Sequence, residues 1–557
     1  MRIIIIGAVA AGPSAAAKAR RNNEEASIVI YEKSAYISYS ACTIPYYLGG
    51  VVKDVALLTP RDPAAFKRKY NVDVLTLHEV LSIDPDTKTV SVRDIAGGEI
   101  FTDHYDKLVI ATGASAVAPP IEGMDGEHVF TLRDIDDMNR IQSFIDAKRP
   151  ASAAIVGTGF IGLEMCENLK ALGMKVTLFE RLPQVTPGLD ADMAVHVQDH
   201  VEQNDVEVFT GVSVTKITKD GVVLEDGRAM EADLVLVSTG VRPNTKIAAE
   251  AGVELGVAGA IRVDARTRTN LPDIYACGDC AEQFHAVTGK PVYRPLGTTA
   301  NKMGRVTGEN VTGGDMEFRG VLGTGIFQVF DRAVGLTGLS EREAKELGYD
   351  VVVSHDIKPD KPRYMGGQDL LIKAVADKAT GRLLGAQIIG RQGVDKRLDV
   401  FATTISFKAK VEDLYHLDLG YAPPFSLARD PVLYTGMILD NAINKGRPLI
   451  TADELDELIK SGKPYTLIDA TEPDQHKADS IDTAHELLCE ELRTALPDSV
   501  DKDSVIVTYC EQGEMGGLMQ NILINKGCAE VYNLSGGQRQ YAKCKGEPDR
   551  QTNDESN

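Results

Sequence analysis

One pattern constrains this chain more than any other, and it occurs twice. Residues 2–6 are an apolar run that stops at Gly7, as a buried parallel strand does. Gly7-Ala-Val-Ala-Ala-Gly12 follows, then an Ala-rich helical stretch over 14–21. A second apolar strand over 27–31 ends at Glu32, 25 residues after Gly7. Strand, glycine turn, helix, strand and acid in that order suit a dinucleotide. The first glycine makes the tight turn, the helix N-terminus receives a pyrophosphate, and the carboxylate accepts ribose hydroxyls. Val9 departs from the pattern, standing where a second glycine is usual. The second copy departs nowhere: Gly157-Thr-Gly159-Phe-Ile-Gly162 follows an apolar strand, and the next strand ends at Glu180, 23 residues after Gly157. Two such fingerprints predict two nucleotide sites on doubly wound α/β domains. Glu180 favours NADH, because a carboxylate repels the 2′-phosphate of NADPH; the neighbouring Arg181 softens that preference.

A chain of 557 residues exceeds one ordinary domain and predicts three or four. The net charge of −21 argues against a broad nucleic-acid or anionic-membrane surface. The eight cysteines lack the spacing of a secreted disulfide framework, and no run of apolar residues reaches membrane-spanning length. A cytoplasmic protein with reduced thiols is expected.

The runs 108–113 and 234–240 are apolar strands ending in Thr-Gly, at Gly113 and Gly240, as where a chain crosses between domains. Residues 274–279 read as a strand ending in Gly278-Asp279 before a helix. From 325 to 445, alternating or apolar strands and two helical stretches form a separate unit. Near 446 the pattern restarts. Thr451 is a plausible N-cap, 464–469 is a strand ending in an acid, 504–510 is a strand ending at Cys510, and 518–526 is helical. This is a further small α/β domain. Residues 546–557 are polar and expected to be disordered.

Cys42 lies in Ser38-Tyr-Ser-Ala-Cys42-Thr-Ile-Pro-Tyr-Tyr-Leu-Gly-Gly50, just after the first nucleotide pattern. A second cysteine five residues on would make an internal dithiol, but position 47 is Tyr. The sulfur that Cys42 reacts with must then come from elsewhere. A polar opening, Pro45 and a terminal Gly pair are unlike the setting of a core cysteine, and a thiol near a helix N-terminus is expected to have a depressed pKa.

Over residues 1–445 the chain resembles the flavoprotein disulfide reductases with two dinucleotide-binding domains. The resemblance implies FAD and a nicotinamide nucleotide, NADH or NADPH, held by Gly7, Ala10, Gly12, Glu32, Lys33, Ala111, Thr112, Gly113, Gly157, Gly159, Gly162, Glu180, Gly240, Gly278 and Asp279. It implies an FAD domain from 1–115 and 245–322, an NAD(P)H domain over 116–244, and a dimerisation domain over 323–445 of a homodimer. The Cys42 loop resembles that of coenzyme A-disulfide reductases and their relatives, the NADH oxidases and peroxidases. Oxidase and peroxidase members carry a His where this chain has Ala10, which favours the CoA branch. Tyr364 and Tyr421 resemble tyrosines that the CoA branch places near the reactive cysteine from the partner subunit. A hydroxyl there can protonate a leaving thiolate. Arg20, Arg21, Arg61, Lys67, Arg68 and Lys69 are candidate cations for CoA phosphates. Arg429 matches a basic CoA contact of the family, and Ser38 belongs to the same substrate set. Ala41 replaces the family's Asn and removes one expected contact. Cys277 and Cys280 form C-x-x-C, read as structural.

Residues 446–545 resemble a rhodanese, whose loop reads C-x-x-G-x-R. Cys510 and Gly513 match, Met515 stands at the Arg position, and Glu511 and Glu514 make the loop acidic. Cys510 is then a persulfide carrier, its thiolate cradled by backbone N–H groups. Together these imply an oxidoreductase that passes electrons from NAD(P)H through FAD and Cys42 to CoA disulfide, CoA persulfide or polysulfide. The alternatives are an NADH oxidase, or a redox sensor with a docking rhodanese-like domain.

Overall fold

The computed structural model describes residues 1–472, 481, 483–497 and 500–546. Nearly all of the expected tail therefore lies outside the described residues. The chain forms two compact units. One comprises Met1–Pro183 and Val206–Gly323; the other comprises Gln184–Asp205 and the chain from Thr324 onward.

The first unit contains both nucleotide folds. Arg2–Ile6 is the middle of a five-stranded parallel sheet, with Ser27–Glu32 and Asp73–Thr76 on one side and Lys107–Ile110 and Ile274–Ala276 on the other. The chain thus returns after residue 245 to complete its first sheet. Ile3, Ile4 and Ile5 are fully buried, as strands covered on both faces must be. The second sheet is also parallel and five-stranded, with Ser152–Val156 at its centre. The two Thr-Gly crossings lead into strands that pair with each other, Ala114–Ala116 against Val241–Pro243. One expectation fails: no helix follows Asp279 directly. A short two-stranded ladder intervenes, and the helix begins only at Gly297. That helix, Gly297–Asn310, packs closely on Ala11–Asn22. A Cβ on Gly304 or Gly308 would fall 2.3 Å from the carbonyl of Ala11 or Ala15.

In the second unit, five antiparallel strands (Gly325–Val329, Arg332–Gly338, Leu383–Gly390, Asp369–Asp377, Val351–Pro359) form one sheet. The C-terminal domain is a separate parallel sheet ordered Leu449–Ile450, Glu530–Leu534, Val505–Tyr509, Tyr465–Asp469, His485–Glu486. Its first helix, Ala452–Ser461, starts with a full capping box between Thr451 and Glu454.

A buried charge cluster ties this domain to the rest of the unit. Lys373, 1% exposed, lies 2.7 Å from Asp192, 2.7 Å from Glu341 and 3.2 Å from Asp190. Burial alone would raise the Asp192 carboxyl, but Lys373 and His355 hold it well below the usual range. His355 Nε2 contacts Asp192 at 2.8 Å, while its backbone N–H donates to Ser535 Oγ at 2.6 Å. Gln540 donates to the Asp192 carbonyl at 2.9 Å. Helix Ala191–Gln203, strand Val351–Pro359 and helix Gly537–Cys544 are thereby joined. Among the described residues, no helix is long and apolar enough to cross a membrane.

Candidate functional site

Both glycine turns are shaped by close backbone approach. Gly7 has φ +108°, and a Cβ there would meet the Ala111 carbonyl at 2.2 Å; one on Gly12 would meet the Gly7 carbonyl at 2.0 Å. The helix Ala11–Asn22 has no side-chain cap, so its N-terminal N–H groups face the loop. Glu32, buried, accepts from Ala8 N–H at 2.7 Å and Ser34 N–H at 2.9 Å, with free lone pairs left on both oxygens. Its carboxyl is raised by burial and drawn down by those bonds. The second turn repeats this construction. Gly162 abuts the Gly157 carbonyl, and Glu180 accepts from Thr158 N–H at 3.0 Å, Thr158 Oγ1 at 2.8 Å and Leu182 N–H at 3.0 Å. A Cβ on Gly159 meets nothing within 4 Å, so that glycine leaves room beside the loop. These are the cradles that an FAD pyrophosphate and a nicotinamide nucleotide need, and the residues present fit both groups.

Asp279 forms an ion pair with Arg133 at 2.6 Å, and Tyr293 donates to its backbone carbonyl at 2.9 Å. Thr112 Oγ1 donates to the Asn244 carbonyl at 2.6 Å. Gly113, Gly240 and Gly278 all have positive φ, and Gly278 presses on Ala11. Lys33 is exposed at the end of its strand. Cys277 and Cys280 are fully buried, and Cys280 donates to the Ile110 carbonyl at 3.4 Å. Burial pushes the Cys277 thiol up to about 12, which suits a structural role.

Cys42 lies in the single turn Ala41–Thr43, just before the short helix Ile44–Leu48. Ser38 adopts left-handed backbone and donates its N–H to the Ala8 carbonyl at 2.8 Å, which ties the loop to the first glycine turn. Ile44, Pro45 and Leu48 are buried, whereas Cys42 is exposed. At the far end Gly49 is forced by Asn168, whose side chain would meet a Cβ at 2.0 Å. Tyr46 donates to Glu164 at 3.4 Å. Burial raises the Glu164 carboxyl to about 7. The expected depression of the Cys42 thiol is reversed in this structure: desolvation pushes it up, Glu164 adds to that, and Arg133 only partly offsets it.

A cavity of about 470 Å³ opens beside this loop, lined by Val9, Ala10, Ser14, Lys18, Arg21, Ser38, Ser40, Arg61, Asn301 and Arg305 among others. It gathers Arg21, Arg61 and Ser38 from the expected substrate set. Arg20 does not belong there. It is 3% exposed, and its guanidinium donates to the carbonyls of Asn23, Glu24, Ala26, Tyr70 and Asn71 at 2.6–3.0 Å. It staples the end of its helix instead of facing a ligand. Lys69 and Arg21 both flank the Tyr70 ring, at 5.3 and 5.9 Å from its centroid. Sequence reasoning missed Ser14, Lys18, Asn301 and Arg305. Ser14 donates to Asn301 at 2.7 Å, and Lys18 pairs with Glu309 at 2.6 Å. The available signal was the four-residue spacing of Asn301 and Arg305 on one helix face.

In the second unit Tyr364 is 79% exposed and Tyr421 54% exposed. Arg429 lies over the Tyr434 ring at 5.9 Å. Cys510 ends the strand Val505–Tyr509. Gly513, with φ +89°, donates its N–H to the Cys510 sulfur at 3.2 Å and starts the helix Glu514–Asn525. Glu514 pairs with Lys358. Met515 packs into the core of its domain, so the loop contributes no cation from that position.

Comparison with known proteins accords with this geometry. Residues 1–304 match the pyridine nucleotide-disulphide oxidoreductase model, 326–431 match the dimerisation domain of that family, and 451–544 match the rhodanese-like domain. An NADH oxidase from Methanocaldococcus jannaschii is 37% identical, over 78% of this chain and 97% of its own length. The structure of reduced Bacillus anthracis CoADR-RHD superposes with a TM-score of 0.95 at 36% identity, covering 98% of both chains. That of an NAD-dependent persulfide reductase from A. fulgidus gives 0.89 at 37% identity, covering 98% of this chain and 100% of that one. With two nucleotide folds, a dimerisation domain and a rhodanese-like domain in sequence, this chain belongs to the FAD-dependent pyridine nucleotide-disulphide oxidoreductase family.

Proposed function

We propose that this protein is a cytoplasmic homodimeric reductase that uses NAD(P)H to reduce CoA disulfide, CoA persulfide or polysulfide. The observation that carries this reading is a single thiol, Cys42, with Tyr at position 47 and a cation-lined cavity opening two residues away at Ser40. FAD held by Gly7, Gly12 and Glu32 would supply two-electron reducing power, taken from NAD(P)H, for a disulfide at Cys42.

The chain's own residues do the rest. Lys18, Arg21, Arg61 and Arg305 hold phosphate groups by charge-assisted hydrogen bonds, which orients the sulfur end of the substrate toward Cys42. The Cys42 thiolate attacks that sulfur, forming one S–S bond and breaking another. Burial raises the Cys42 thiol in the protein alone, so a cation or hydrogen-bond donor brought near the sulfur would favour the attacking thiolate. Tyr364 and Tyr421 are exposed, as groups that complete a partner subunit's site would be, and either hydroxyl can protonate the departing thiolate. Glu180 selects NADH over NADPH. Cys510, cradled by the Gly513 N–H, carries sulfane sulfur. The fused rhodanese-like domain and the persulfide reductase of A. fulgidus, similar over the whole chain, favour persulfide sulfur among the acceptors.

The test is anaerobic NADH oxidation with CoA disulfide, CoA persulfide and polysulfide as acceptors, comparing wild type with Cys42→Ser and Cys510→Ser. Cys42→Ser is expected to lose turnover with all three; retention of full persulfide activity refutes the mechanism. Cys510→Ser silent with every acceptor refutes sulfur transfer through the rhodanese-like domain. The M. jannaschii relative's name favours a second reading, reduction of O2. Rapid aerobic NADH oxidation without a sulfur acceptor, retained in Cys42→Ser, would establish it instead.

A further inference from the structure

Tyr364 lies in a hairpin turn, and the rhodanese-like domain holds both stems of that hairpin. The strands Val351–Pro359 and Asp369–Asp377 pair antiparallel as far as Pro359 and Asp369, and the turn between them contains Arg363–Met365. Within the turn the backbone closes on itself. Met365 and Gly367 N–H groups donate to the Pro362 carbonyl at 2.8 and 3.2 Å, and Gly366 N–H donates to the Arg363 carbonyl at 2.9 Å. Arg397, from the hairpin's own domain, donates to the Asp360 carbonyl at 2.7 Å. Two further contacts come from the rhodanese-like domain. On the first stem Lys358, 12% exposed, pairs with Glu514 and lies 4.8 Å from the centroid of the Tyr434 ring. On the second stem Asp369 takes Arg539 at 2.9 Å on one oxygen and Arg363 at 2.6 Å on the other. Arg363 is the residue before Tyr364, so a continuous chain of charges runs from Arg539 to the Tyr364 turn. A carboxylate shared by two guanidinium groups holds geometry better than an isolated surface pair.

Glu514 and Arg539 are themselves fixed to the Cys510 loop. Glu514 follows Gly513, whose N–H donates to the Cys510 sulfur at 3.2 Å. Arg539 N–H donates to the Glu511 carbonyl at 3.0 Å, and Gln538 N–H to the Cys510 carbonyl at 2.9 Å. The Tyr364 side chain is 79% exposed, so the path of its backbone decides where its hydroxyl is presented.

We propose that Glu514 and Arg539 are positioning residues for Tyr364. By holding the hairpin, the rhodanese-like domain sets the rate of a reaction at Cys42 even with CoA disulfide, an acceptor that carries no sulfane sulfur. The inference rests on the reading of Tyr364, given above, as an acid for the departing thiolate. Displacing a reacting group by about 1 Å can cost about a hundredfold in rate, and loss of one of the two contacts is expected to cost about tenfold. Neither residue is placed on the substrate, so the loss falls on kcat and not on KM.

The test uses full-length, FAD-loaded protein oxidising NADH anaerobically with CoA disulfide, together with hydrogen exchange over residues 360–368 read by mass spectrometry. Arg539→Leu and Glu514→Gln are each expected to speed exchange in the turn about tenfold and to lower kcat about tenfold, with KM changed less than about twofold. Arg539→Lys, which keeps a cation facing Asp369, is expected to restore most of both. In a Tyr364→Phe background Arg539→Leu is expected to lower kcat no further. Unchanged exchange in both variants overturns the proposal. So does faster exchange with kcat intact while Tyr364→Phe slows turnover, and so does a full additional loss in the Tyr364→Phe background. Full turnover by Tyr364→Phe alone refutes the acid role itself and the inference with it, a failure recognisable without any change at Glu514 or Arg539.

Discussion

Arg20 and Arg21 are neighbours in sequence, yet the structure assigns them opposite work, and replacing each by alanine separates the two. Arg20 donates to five backbone carbonyls, of which Ala26 O is fully enclosed and the other four border solvent. Hydrogen bonds from a charged donor contribute about 1.5–3 kcal/mol each, but the four outer carbonyls can bond water once the guanidinium is gone. What remains is the orphaned inner carbonyl, a few weakened outer ones and the lost packing of a buried side chain, or about 3–5 kcal/mol. For a nucleotide-binding domain of this size that lowers the unfolding midpoint on the order of 10 °C. Arg20→Ala should show this loss by thermal unfolding and by earlier FAD release, with KM for a CoA-based acceptor changed less than about twofold. Arg21 lines the cavity and makes none of those bonds. Arg21→Ala should unfold with wild type while KM rises about tenfold, equivalent to about 1.4 kcal/mol of lost phosphate contact. The reverse pattern, a stable Arg20→Ala with a raised KM beside an unstable Arg21→Ala, would refute the assignment.

Three further outcomes follow from other parts of the molecule. Asp356 is fully buried and its carboxyl is pushed up to about 7, mainly by desolvation, so the unfolded chain gives up its proton first and stability falls as pH rises from about 4 to 7; Asp356→Asn should remove that slope and gain roughly 3–4 kcal/mol above pH 7, read from denaturant unfolding at several pH values. Lys373→Met removes the buried cation shared by Asp190, Asp192 and Glu341, leaving Asp190 buried without its ion pair, and should cost about 3–5 kcal/mol, with faster proteolysis near the rhodanese-like domain as the check. Glu180→Ala should lower the ratio of kcat/KM for NADH to that for NADPH by about tenfold, and an unchanged ratio would remove Glu180 as the selector.

The nucleotide folds were legible because their chemistry is local. Gly7, Gly12 and Glu32 lie within one strand–helix–strand unit, and the contacts that require each glycine lie in that unit or on the neighbouring Ala111. The restart at Thr451 carried its own capping signal. What was not legible depends on distant chain. Nothing beside Arg20 in the sequence tells that the carbonyls of Tyr70 and Asn71 will turn toward it. Asn301 and Arg305 enter the cavity only because Gly304 and Gly308 let two helices close up. The Cys42 shift comes first from burial by distant chain, and Glu164, a residue from the other nucleotide fold, adds to it. The Asp192–Lys373–His355 cluster draws on three segments that share no motif.

That cluster bears on how far the rhodanese-like domain can be treated as a module. Residues 445–448 alone join the helix Pro431–Asn444 to the first strand of that domain. A tether so short would already keep any cargo on Cys510 at a high local concentration. His355 and Asp192 add orientation to proximity, because Ser535 and Gln540 are held at fixed points on the neighbouring fold. A graft of residues 449–546 onto a related reductase lacking those two partners would retain the leash but lose the aim. Such a chimera separates what any transfer from Cys510 would owe to being nearby from what it would owe to a fixed orientation.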